Sequence, residues 1–393
     1  MKVLVATVPQ AGHFHPLFPL ADALRHRGHD VTFATAPSFA RRAETAGFAA
    51  VAVGDEFHAW FAELARRTSG PPGEGLAPEE IESWFTPRLF GEIGIEQTLD
   101  GLLAAIADLR PDLVLHDPYQ FAAPLAAAMG GIPNVAHGLG PLPPLEVFAL
   151  TAEAVAPQWA ERGLAVPQLA GMSAHALLTI SPPSLDLDLP DAFAEQVHLL
   201  RPVGYDAPGA AAPPTWLTEL ADRPTIYATL GTMFNTNRDM FRAILDGLAD
   251  EDVTVIMTIG DNNDPSWLDP IPANAHVERY VPQSKLLDHC AAVVSHGGSG
   301  TILPALGRGI PQVLLPQGAD NFTNAARCHR AGAGLTVLPE DVTATDVRAA
   351  LRRALHEPSI AAAARHIASE IAAMPPPSEA ATFLEQLAVN SKP

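Results

Sequence analysis

The amino-acid sequence predicts an α/β protein built from two Rossmann-like domains, each with a doubly wound parallel sheet. The chain has 393 residues, which is too long for one ordinary compact domain and fits two domains of roughly 200 residues each. Apolar runs of strand length alternate with helical patterns at the spacing of strand–helix–strand units, which favours parallel sheets. The alternation begins again after a segment rich in proline, glycine and alanine, which indicates a linker. We expect the two domains to face each other across a cleft.

The first domain opens with an apolar run of strand length at residues 2–8. A helical pattern follows at about residues 16–27 and stops at Gly28. Proline near the start of a helix and glycine just beyond its end are typical of helix boundaries. Residues 30–35 and 112–115 are further predicted strands, so the pattern repeats at the spacing of a doubly wound sheet.

Strand and helix patterns alternate again in the second half of the chain. Strands are predicted at residues 225–230, 253–259 and 291–295, and a helix at 241–248. We expect the last segment of the chain to be a helix that packs back on the N-terminal domain. The predicted boundaries are an N-terminal domain at 1–203, a linker at 204–214, a C-terminal domain at 215–375 and the final helix at 376–393.

The composition excludes several classes of function. Acidic residues outnumber basic ones by 44 to 24, for a formal net charge of −20, and no run of Lys and Arg could follow a phosphate backbone, so we expect no nucleic-acid partner. Cys290 and Cys328 lack CxxC spacing and predict neither a disulfide framework nor a zinc site. No apolar stretch reaches the ~18 residues of a membrane span, and the first residues lack a signal peptide. We expect a cytoplasmic protein, a monomer or a homodimer, that does not bind membranes.

The strongest functional signal is the glycine-rich segment His-Gly-Gly-Ser-Gly-Thr at residues 296–301, between a predicted strand and a helical pattern. Glycines let the backbone approach a ligand closely, and the start of a helix presents unpaired N–H groups and the positive end of the helix dipole. The segment therefore predicts a diphosphate site; the alternative is a tight turn without a ligand. It lacks the lysine of a Walker A loop and the spacing of a GxGxxG motif. We expect diphosphate binding without a lysine and without a metal ion.

A histidine follows the first predicted strand, and an aspartate follows a later one. Ligands of doubly wound sheets bind at the carboxyl ends of the strands, so we expect His13 and Asp117 at the same edge. Histidine can take a proton from a hydroxyl near neutral pH, and a carboxylate on its other ring nitrogen fixes the tautomer. We predict that His13 is a general base and Asp117 its partner. The neighbouring His15 and His116 are alternatives for these roles.

A third group of polar residues follows a later apolar run. Gln317, Asp320 and Asn321 could hold the vicinal hydroxyls of a sugar by paired hydrogen bonds. Asp followed by Asn also occurs at the start of ordinary helices, and this alternative remains open. Asp186 and Asp188 form a DxD pattern of the kind that holds a divalent ion, but they lie in a proline-rich connecting segment, so we expect no metal site there.

Aromatic side chains accumulate between residues 55 and 102, where the periodicity weakens. As a group near the carboxyl ends of strands they could form an apolar pocket, although each ring could also be a core residue of an irregular helix. The group comprises Phe57, Trp60, Phe61, Trp84, Phe85 and Phe90. We assign the pocket to Phe14, Phe57, Trp60, Phe61, Trp84 and Phe85.

In their order along the chain these motifs resemble one known family, the inverting GT-B glycosyltransferases that decorate antibiotics and other natural products in actinomycete bacteria, relatives of the UDP-glycosyltransferases. The resemblance covers nearly the whole chain. It is carried by Gly12-His13 with Pro16-Leu17, Gly28-His29, Asp117, Leu230-Gly231-Thr232, the run from Arg279 to Gln283, the run from His296 to Thr301, and the run from Gln317 to Asn321. It implies a GT-B fold and transfer of a sugar, with inversion and without a metal or other cofactor, from a nucleotide diphosphate to a hydroxyl of a small apolar acceptor.

The resemblance also implies a role for each matching residue. His13 is similar to the family's catalytic base and Asp117 to its orienting acid. The implied donor site comprises Thr232 at the phosphates, Val281 and Gln283 at the base and ribose, His296, Gly298, Ser299, Gly300 and Thr301 at the pyrophosphate, and Gln317, Asp320 and Asn321 at the sugar. Plant relatives carry a tryptophan that stacks on uracil and a glutamine after the sugar-binding aspartate. Tyr280-Val281 and Asn321 stand here instead, so TDP-sugars and UDP-sugars are both open as donors.

Three other functions remain as alternatives. A nucleotide-sugar 2-epimerase shares the GT-B architecture but needs carboxylates around the sugar and no acceptor pocket. A nicotinamide oxidoreductase would need a GxGxxG motif after the first strand, and the segment from Pro9 to Phe14 does not supply one. A binding module without activity would not need both His13 and Asp117.

Overall fold

The computed structural model describes residues 1–68, 70–172, 174–186, 193, 195–206, 214–220, 222–233 and 235–391. The chain forms two compact units: unit 1 comprises Met1–Ser181, Asp186–Tyr205 and Met374–Pro393, and unit 2 comprises Pro182–Leu185 and Asp206–Ala373. The chain passes from unit 1 to unit 2 after Tyr205 and returns at Met374. Most of the predicted linker, residues 207–213, lies outside the described residues.

Each unit contains one parallel sheet, which confirms the predicted fold class. The strands are β1 (Lys2–Ala6), β2 (Asp30–Thr35), β3 (Ala49–Ala52), β4 (Leu113–His116), β5 (Asn134–His137), β6 (Ala176–Thr179), β7 (Val197–Leu199), β8 (Thr225–Thr229), β9 (Thr254–Thr258), β10 (Ala275–Glu278), β11 (Cys290–Ser295), β12 (Gln312–Leu314) and β13 (Gly334–Thr336). The seven-stranded sheet of unit 1 has the order β3-β2-β1-β4-β5-β6-β7, and the six-stranded sheet of unit 2 has the order β10-β9-β8-β11-β12-β13.

Helices connect the strands. They are α1 (Ala11–Phe14), α2 (Phe18–His26), α3 (Pro37–Thr45), α4 (Phe57–Arg67), α5 (Ile81–Phe85), α6 (Gly94–Leu109), α7 (Ala122–Gly130), α8 (Leu145–Ala160), α9 (Arg238–Leu248), α10 (Gln283–Leu286), α11 (Ser299–Leu306), α12 (Asn321–Arg330), α13 (Ala344–His356), α14 (Pro358–Ala373) and α15 (Pro377–Asn390). A π-helical segment at Thr86–Ile93 joins α5 to α6, and short 3₁₀ turns lie at His15–Leu17, Pro78–Glu80, Gln168–Gly171, Pro183–Leu185, Thr215–Glu219, Pro265–Leu268, Leu287–His289 and Pro339–Asp341. Among the described helices, none is long and apolar enough to cross a membrane.

The central strands of unit 1 are buried on both faces. β1 and β4 are short runs of Val, Leu and Ala rather than alternating patterns, as expected for a parallel sheet covered on both sides by helices. They pair in a register that places Ala6 beside His116. The segments that follow the two strands therefore leave the sheet side by side at its carboxyl edge.

The last helix completes unit 1. α15 packs against α2. Glu385 on α15 accepts two hydrogen bonds from the Arg27 guanidinium, at 2.8 and 2.6 Å, and lies 2.6 Å from Nε2 of His29. The last helix is thus joined to α2 by packing and to the turn after α2 by a charged cluster.

Unit 2 has β8 and β11 at the centre of its sheet. β8 pairs with β11 at Thr229 and Ser295, and β11 pairs with β12 at Ser295 and Leu314. Three chain segments therefore leave the carboxyl edge next to one another, those after Thr229, Ser295 and Leu314. This register gathers the predicted phosphate and sugar residues, which are far apart in sequence, at one edge of one sheet.

Candidate active site

His13 and Asp117 meet at the carboxyl ends of β1 and β4. His13 lies in the short helix α1, and Asp117 directly follows the last residue of β4. Nδ1 of His13 is 3.1 Å from Oδ1 of Asp117. The Asp117 side chain is fully buried, whereas 16% of the His13 side chain is exposed. His13 is therefore the member of the pair that a substrate can reach.

Backbone N–H groups hold the Asp117 carboxylate in place. Val8 donates to its Oδ2 at 2.7 Å and Tyr119 donates to its Oδ1 at 2.9 Å. An ionised carboxylate only accepts hydrogen bonds, so Nδ1 of His13 carries the hydrogen in the contact between the two side chains. Nε2 of His13 then presents a lone pair, which is what a base that deprotonates a hydroxyl requires.

The two neighbouring histidines are packing groups. Nδ1 of His116 lies 2.8 Å from the backbone carbonyl oxygen of Asp117, and burial lowers the pKa of His116. The ring of His15 lies 5.3 Å from that of Tyr205, and burial lowers the pKa of His15 to about 4, with the Arg42 charge acting in the same direction. Both rings are therefore neutral at neutral pH, and it is His13 that stands beside the carboxylate.

The predicted pocket aromatics fall into two groups. Phe14, Phe57 and Trp60 are 1%, 7% and 0% exposed, so they are core residues with almost no surface to offer a ligand. Phe14, for example, packs among Phe18 of α2, Phe33 of β2 and Phe39 of α3. By contrast, Phe61, Trp84 and Phe85 are partly exposed and touch one another, with 4.7 Å between the last two ring centroids and 6.0 Å between Phe61 and Phe85.

In unit 2 the glycine-rich segment connects β11 to α11. Gly298 is the N-cap of α11, with φ −70° and ψ 138°. The N–H groups of Ser299 and Gly300, in the first turn, have no acceptor inside the helix and point beyond its end. Together with the positive end of the helix dipole, these groups can bind an anion such as a diphosphate.

His296 fits between two glycines. A β-carbon at Gly231, which has a φ of +72°, would lie 2.5 Å from Cε1 and Nε2 of the His296 ring, and one at Gly298 would come even closer to Nε2. Real β-carbons do not approach other atoms this closely, so a side chain at either position would displace the His296 ring. Burial lowers the pKa of His296 to about 4, so the ring is neutral. Its buried Nδ1 has no hydrogen-bond partner within the part of the chain that the structure describes.

The predicted sugar residues adjoin this segment through Asn324, a residue that the sequence interpretation missed. Nδ2 of Asn324 lies 2.8 Å from Oδ2 of Asp320, 3.0 Å from the carbonyl oxygen of Gly297 and 3.1 Å from Oγ of Ser299. Asn324 therefore links the glycine-rich segment to Asp320. The signal for it was available, because residues four apart on a helix share one face. Asn321 is 3% exposed and its Nδ2 donates to Oδ1 of Asp320.

The other predicted donor residues lie near the same edge with different degrees of access. Thr232 is exposed in the segment that follows β8, and Oε1 of Gln317 accepts a hydrogen bond from Asn237 at 3.2 Å. Gln283 is partly buried at the start of α10. Val281 is 2% exposed, because its side chain packs in the core, so only its backbone could contact a nucleotide base.

The DxD pattern is described only in part, because Asp188 lies outside the described residues. Oδ1 of Asp186 accepts from the backbone N–H of Leu142 and Oδ2 from the hydroxyl of Thr179, both at 3.2 Å. Asp186 therefore stabilises the loop that carries it. Within the described ranges, no three His, Cys, Asp or Glu side chains are grouped so that they could hold a metal ion.

Comparison with known proteins decides the family. The N-terminal domain model of the Erythromycin biosynthesis protein CIII-like family matches residues 78–231, and its C-terminal domain model matches residues 242–387. The chain belongs to this family. It is a GT-B glycosyltransferase of the group that acts in natural-product pathways, as the sequence motifs indicated.

Relatives of this glycosyltransferase match it over nearly its whole length. The L-demethylnoviosyl transferase of Streptomyces niveus is 31% identical, over 98% of this chain and 97% of the relative. Among solved structures, the glycosyltransferase SnogD from Streptomyces nogalater has a TM-score of 0.78 at 31% identity, covering 99% of both chains. SsfS6 from Streptomyces sp. SF2575, complexed with thymidine diphosphate, has a TM-score of 0.81 at 26% identity, covering 98% of this chain and 99% of that one.

Proposed function

We propose that this glycosyltransferase transfers a deoxysugar from a TDP-sugar to a hydroxyl of an apolar natural product, with inversion, and that His13 is the general base. The observation that carries the proposal is the contact of 3.1 Å between His13 and the buried Asp117 at the carboxyl edge of the sheet of unit 1. A partly exposed imidazole whose other nitrogen is held by a carboxylate is the arrangement that general-base catalysis on a hydroxyl requires.

The donor site belongs to unit 2. The first turn of α11 offers N–H groups to a diphosphate, and Asp320, held by Asn324, lies beside them for the sugar hydroxyls. The complex of SsfS6 with thymidine diphosphate supports thymidine rather than uridine as the nucleoside of the donor. The names of the relatives, which are transferases, favour sugar transfer over a 2-epimerase or an oxidoreductase.

The reaction is one displacement. Nε2 of His13 takes the proton of the acceptor hydroxyl as its oxygen attacks the anomeric carbon. The new carbon–oxygen bond forms while the bond to the diphosphate oxygen breaks, and its electron pair leaves with the nucleoside diphosphate. Because a single displacement occurs, the anomeric configuration inverts. Asp117 stabilises the imidazolium that forms.

No metal ion takes part in this proposal. The N–H groups of Ser299 and Gly300 and the helix dipole would stabilise the charge that develops on the leaving diphosphate, since preorganised donors act where charge appears. The neutral His296 adds a ring N–H donor or acceptor at the same place. On the acceptor side, the partly exposed Phe61, Trp84 and Phe85 provide apolar contact surface in unit 1.

One experiment tests the proposal. The protein is incubated with a TDP-sugar or a UDP-sugar and a panel of aromatic hydroxyl acceptors, in the presence of EDTA, and mass spectrometry follows the glycosylated product and the released diphosphate. We expect product and TDP from the TDP-sugar. Activity that EDTA abolishes and manganese restores would contradict the metal-independent mechanism, and conversion of the sugar without acceptor would favour the epimerase.

A pair of variants in the same assay tests the base. His13→Ala should lower kcat by about 10² to 10⁴-fold and leave TDP affinity nearly unchanged, because the base acts on the acceptor. His15→Gln is the matched control, since His15 is two residues away and packs on Tyr205. If His13→Ala keeps more than about a tenth of the wild-type kcat, His13 is not the base.

A further inference from the structure

Two aromatic rings contact the imidazole of His13, and a third packs on one of them. Phe90 stacks on it, with ring centroids 5.6 Å apart and planes at 25°. Tyr119 meets it edge-on, at 5.2 Å and 70°. Phe90 and Tyr119 also touch each other at 5.1 Å. The proposed base thus contacts two rings that also contact each other. A third ring, Phe57, stacks on Phe90, with centroids 5.8 Å apart and planes at 28°.

Phe90 reaches His13 from an unusual piece of backbone. It lies in the π-helical segment Thr86–Ile93, in the middle of a helical run from Ile81 to Leu109. A π-helix widens the turn and changes which residues share a face, and such segments inside α-helices are frequent at functional sites. An uninterrupted α-helix would aim different side chains at His13.

The π segment is held in place by close packing. A β-carbon at Gly91 would lie 3.1 Å from side-chain carbons of Thr151 and Val155 on α8, and one at Gly94 would lie 3.2 Å from Trp60. The absence of side chains at these two positions lets the segment lie tightly between α8 and α4. Phe57 on α4, which stacks on Phe90, is only 7% exposed, so the core also fixes its ring.

We propose that Phe90, together with Tyr119, is a positioning residue that sets the plane of the His13 ring; this rests on the proposed role of His13 as the base. One hydrogen bond from Nδ1 to Asp117 leaves the imidazole free to tilt about that bond. Stacking on Phe90 and the edge contact with Tyr119 remove this freedom, so Nε2 points in one direction. The π face of Phe90 also favours the imidazolium that forms during reaction.

The test compares three variants. Phe90→Leu keeps apolar bulk but removes the ring, and Phe90→Tyr keeps the ring. Phe48→Leu is the matched control, because Phe48 is a buried ring of the same unit that packs on Phe18 and Phe33, away from His13. Thermal melting shows that each variant is folded before its kinetics are compared.

We expect Phe90→Leu to lower kcat about 5- to 100-fold, since small displacements of a catalytic group cost up to that much, and to change the acceptor KM by less than about threefold. Phe90→Tyr and Phe48→Leu should stay within about threefold of wild type. In a His13→Ala background, Phe90→Leu should have no further effect, because a positioning residue acts only through the group that it positions.

A second readout does not depend on activity. NMR relaxation of isotope-labelled histidine rings, with His13 assigned from the His13→Ala spectrum, reports how freely its imidazole moves. We expect a rigid His13 ring in wild type and in Phe90→Tyr, and a more mobile one in Phe90→Leu. Unchanged ring mobility, a change in KM alone, or a loss that persists without His13 would overturn the inference. If His13→Ala retains wild-type kcat, the proposed base fails instead, and the NMR measurement still decides what Phe90 does.

Discussion

At the scale of single residues, the proposed donor site contains two glycines whose lack of a side chain leaves room for the His296 ring. His296 occupies space that side chains at Gly231 or Gly298 would fill. Gly298 has φ −70°, which any residue can adopt, so its role is close approach and not backbone conformation. The two glycines around His296 therefore have a steric explanation that does not depend on a ligand.

Replacement of Gly298 tests this explanation. In Gly298→Ala the new β-carbon would push the His296 ring and the start of α11 apart, so the affinity for thymidine diphosphate, measured by calorimetry, should fall about tenfold or more. The free energy of unfolding should fall by about 1–3 kcal/mol, as for other overpacked sites.

Gly204→Ala provides the control for that substitution. Among the described residues other than its chain neighbours, none has a heavy atom within 4 Å of a β-carbon built at Gly204. The affinity of Gly204→Ala for thymidine diphosphate and its free energy of unfolding should match those of the wild type. An unchanged affinity of Gly298→Ala for thymidine diphosphate would show that the diphosphate binds elsewhere, or that displacement of His296 does not affect binding.

At the scale of elements, the last helix is part of the first domain's structure. Glu385 on α15 contacts Arg27 and His29, which follow the last residue of α2. Hydrogen bonds from Arg27, and then from His29, lower the pKa of Glu385 to about 2. The Glu385 carboxylate therefore stabilises the folded protein fully above pH ~4.5, the pKa of a glutamate in the unfolded chain. This stabilisation is lost as the pH falls toward 2.

Removing this charge should weaken the contact without unfolding the protein. We expect Glu385→Gln to lower the free energy of unfolding by about 1 kcal/mol at pH 7, because a partly exposed ion pair contributes no more than this. The difference from wild type, measured by urea denaturation, should shrink below pH ~4.5. Glu44→Gln, an exposed glutamate on α3, is the control. A Glu385→Gln variant as stable as wild type would mean that apolar packing alone holds α15.

At the scale of the whole molecule, several buried histidines make the folded state sensitive to acid. Burial lowers the pKa of His137 in unit 1 and of His296 in unit 2 to about 4, and it also lowers the pKa of His116. Below pH ~6.5 the unfolded chain binds protons that the folded protein does not accept. With respect to these histidines, the free energy of unfolding is therefore highest above this pH, and it falls as the pH decreases from about 6.5 to 4.

Urea denaturation at pH 7.5 and pH 5 checks this. At pH 5, His137 and His296 should each lower the free energy of unfolding by about 2 kcal/mol. His137→Asn keeps a donor for the carbonyl oxygen of Gly138, which lies 2.7 Å from Nδ1 of His137, and should reduce the pH dependence. His366→Asn, at a position that is 71% exposed, should leave it unchanged. Equal stability at both pH values would contradict the expected neutral state of these rings.

Much of the architecture could be predicted because it is local. Apolar runs in residues 2–8 and 291–295 indicated strands of parallel sheets, and the structure has β1 and β11 there. The carboxyl ends of parallel strands meet at one edge, so Asp117 could be placed near His13 from topology alone. The family followed from motifs whose order along the chain is specific.

The environment of these residues was decided by tertiary structure. The sequence marks Phe14, Trp60, Phe61 and Phe90 alike as aromatic, but packing buries the first two, exposes part of Phe61 and places Phe90 on His13. That last contact depends on a π-helical turn, whose stability comes from packing against α8 and α4 and not from local periodicity. Periodicity in a sequence reports which face of an element is apolar; which neighbour covers that face is set only when distant segments pack together.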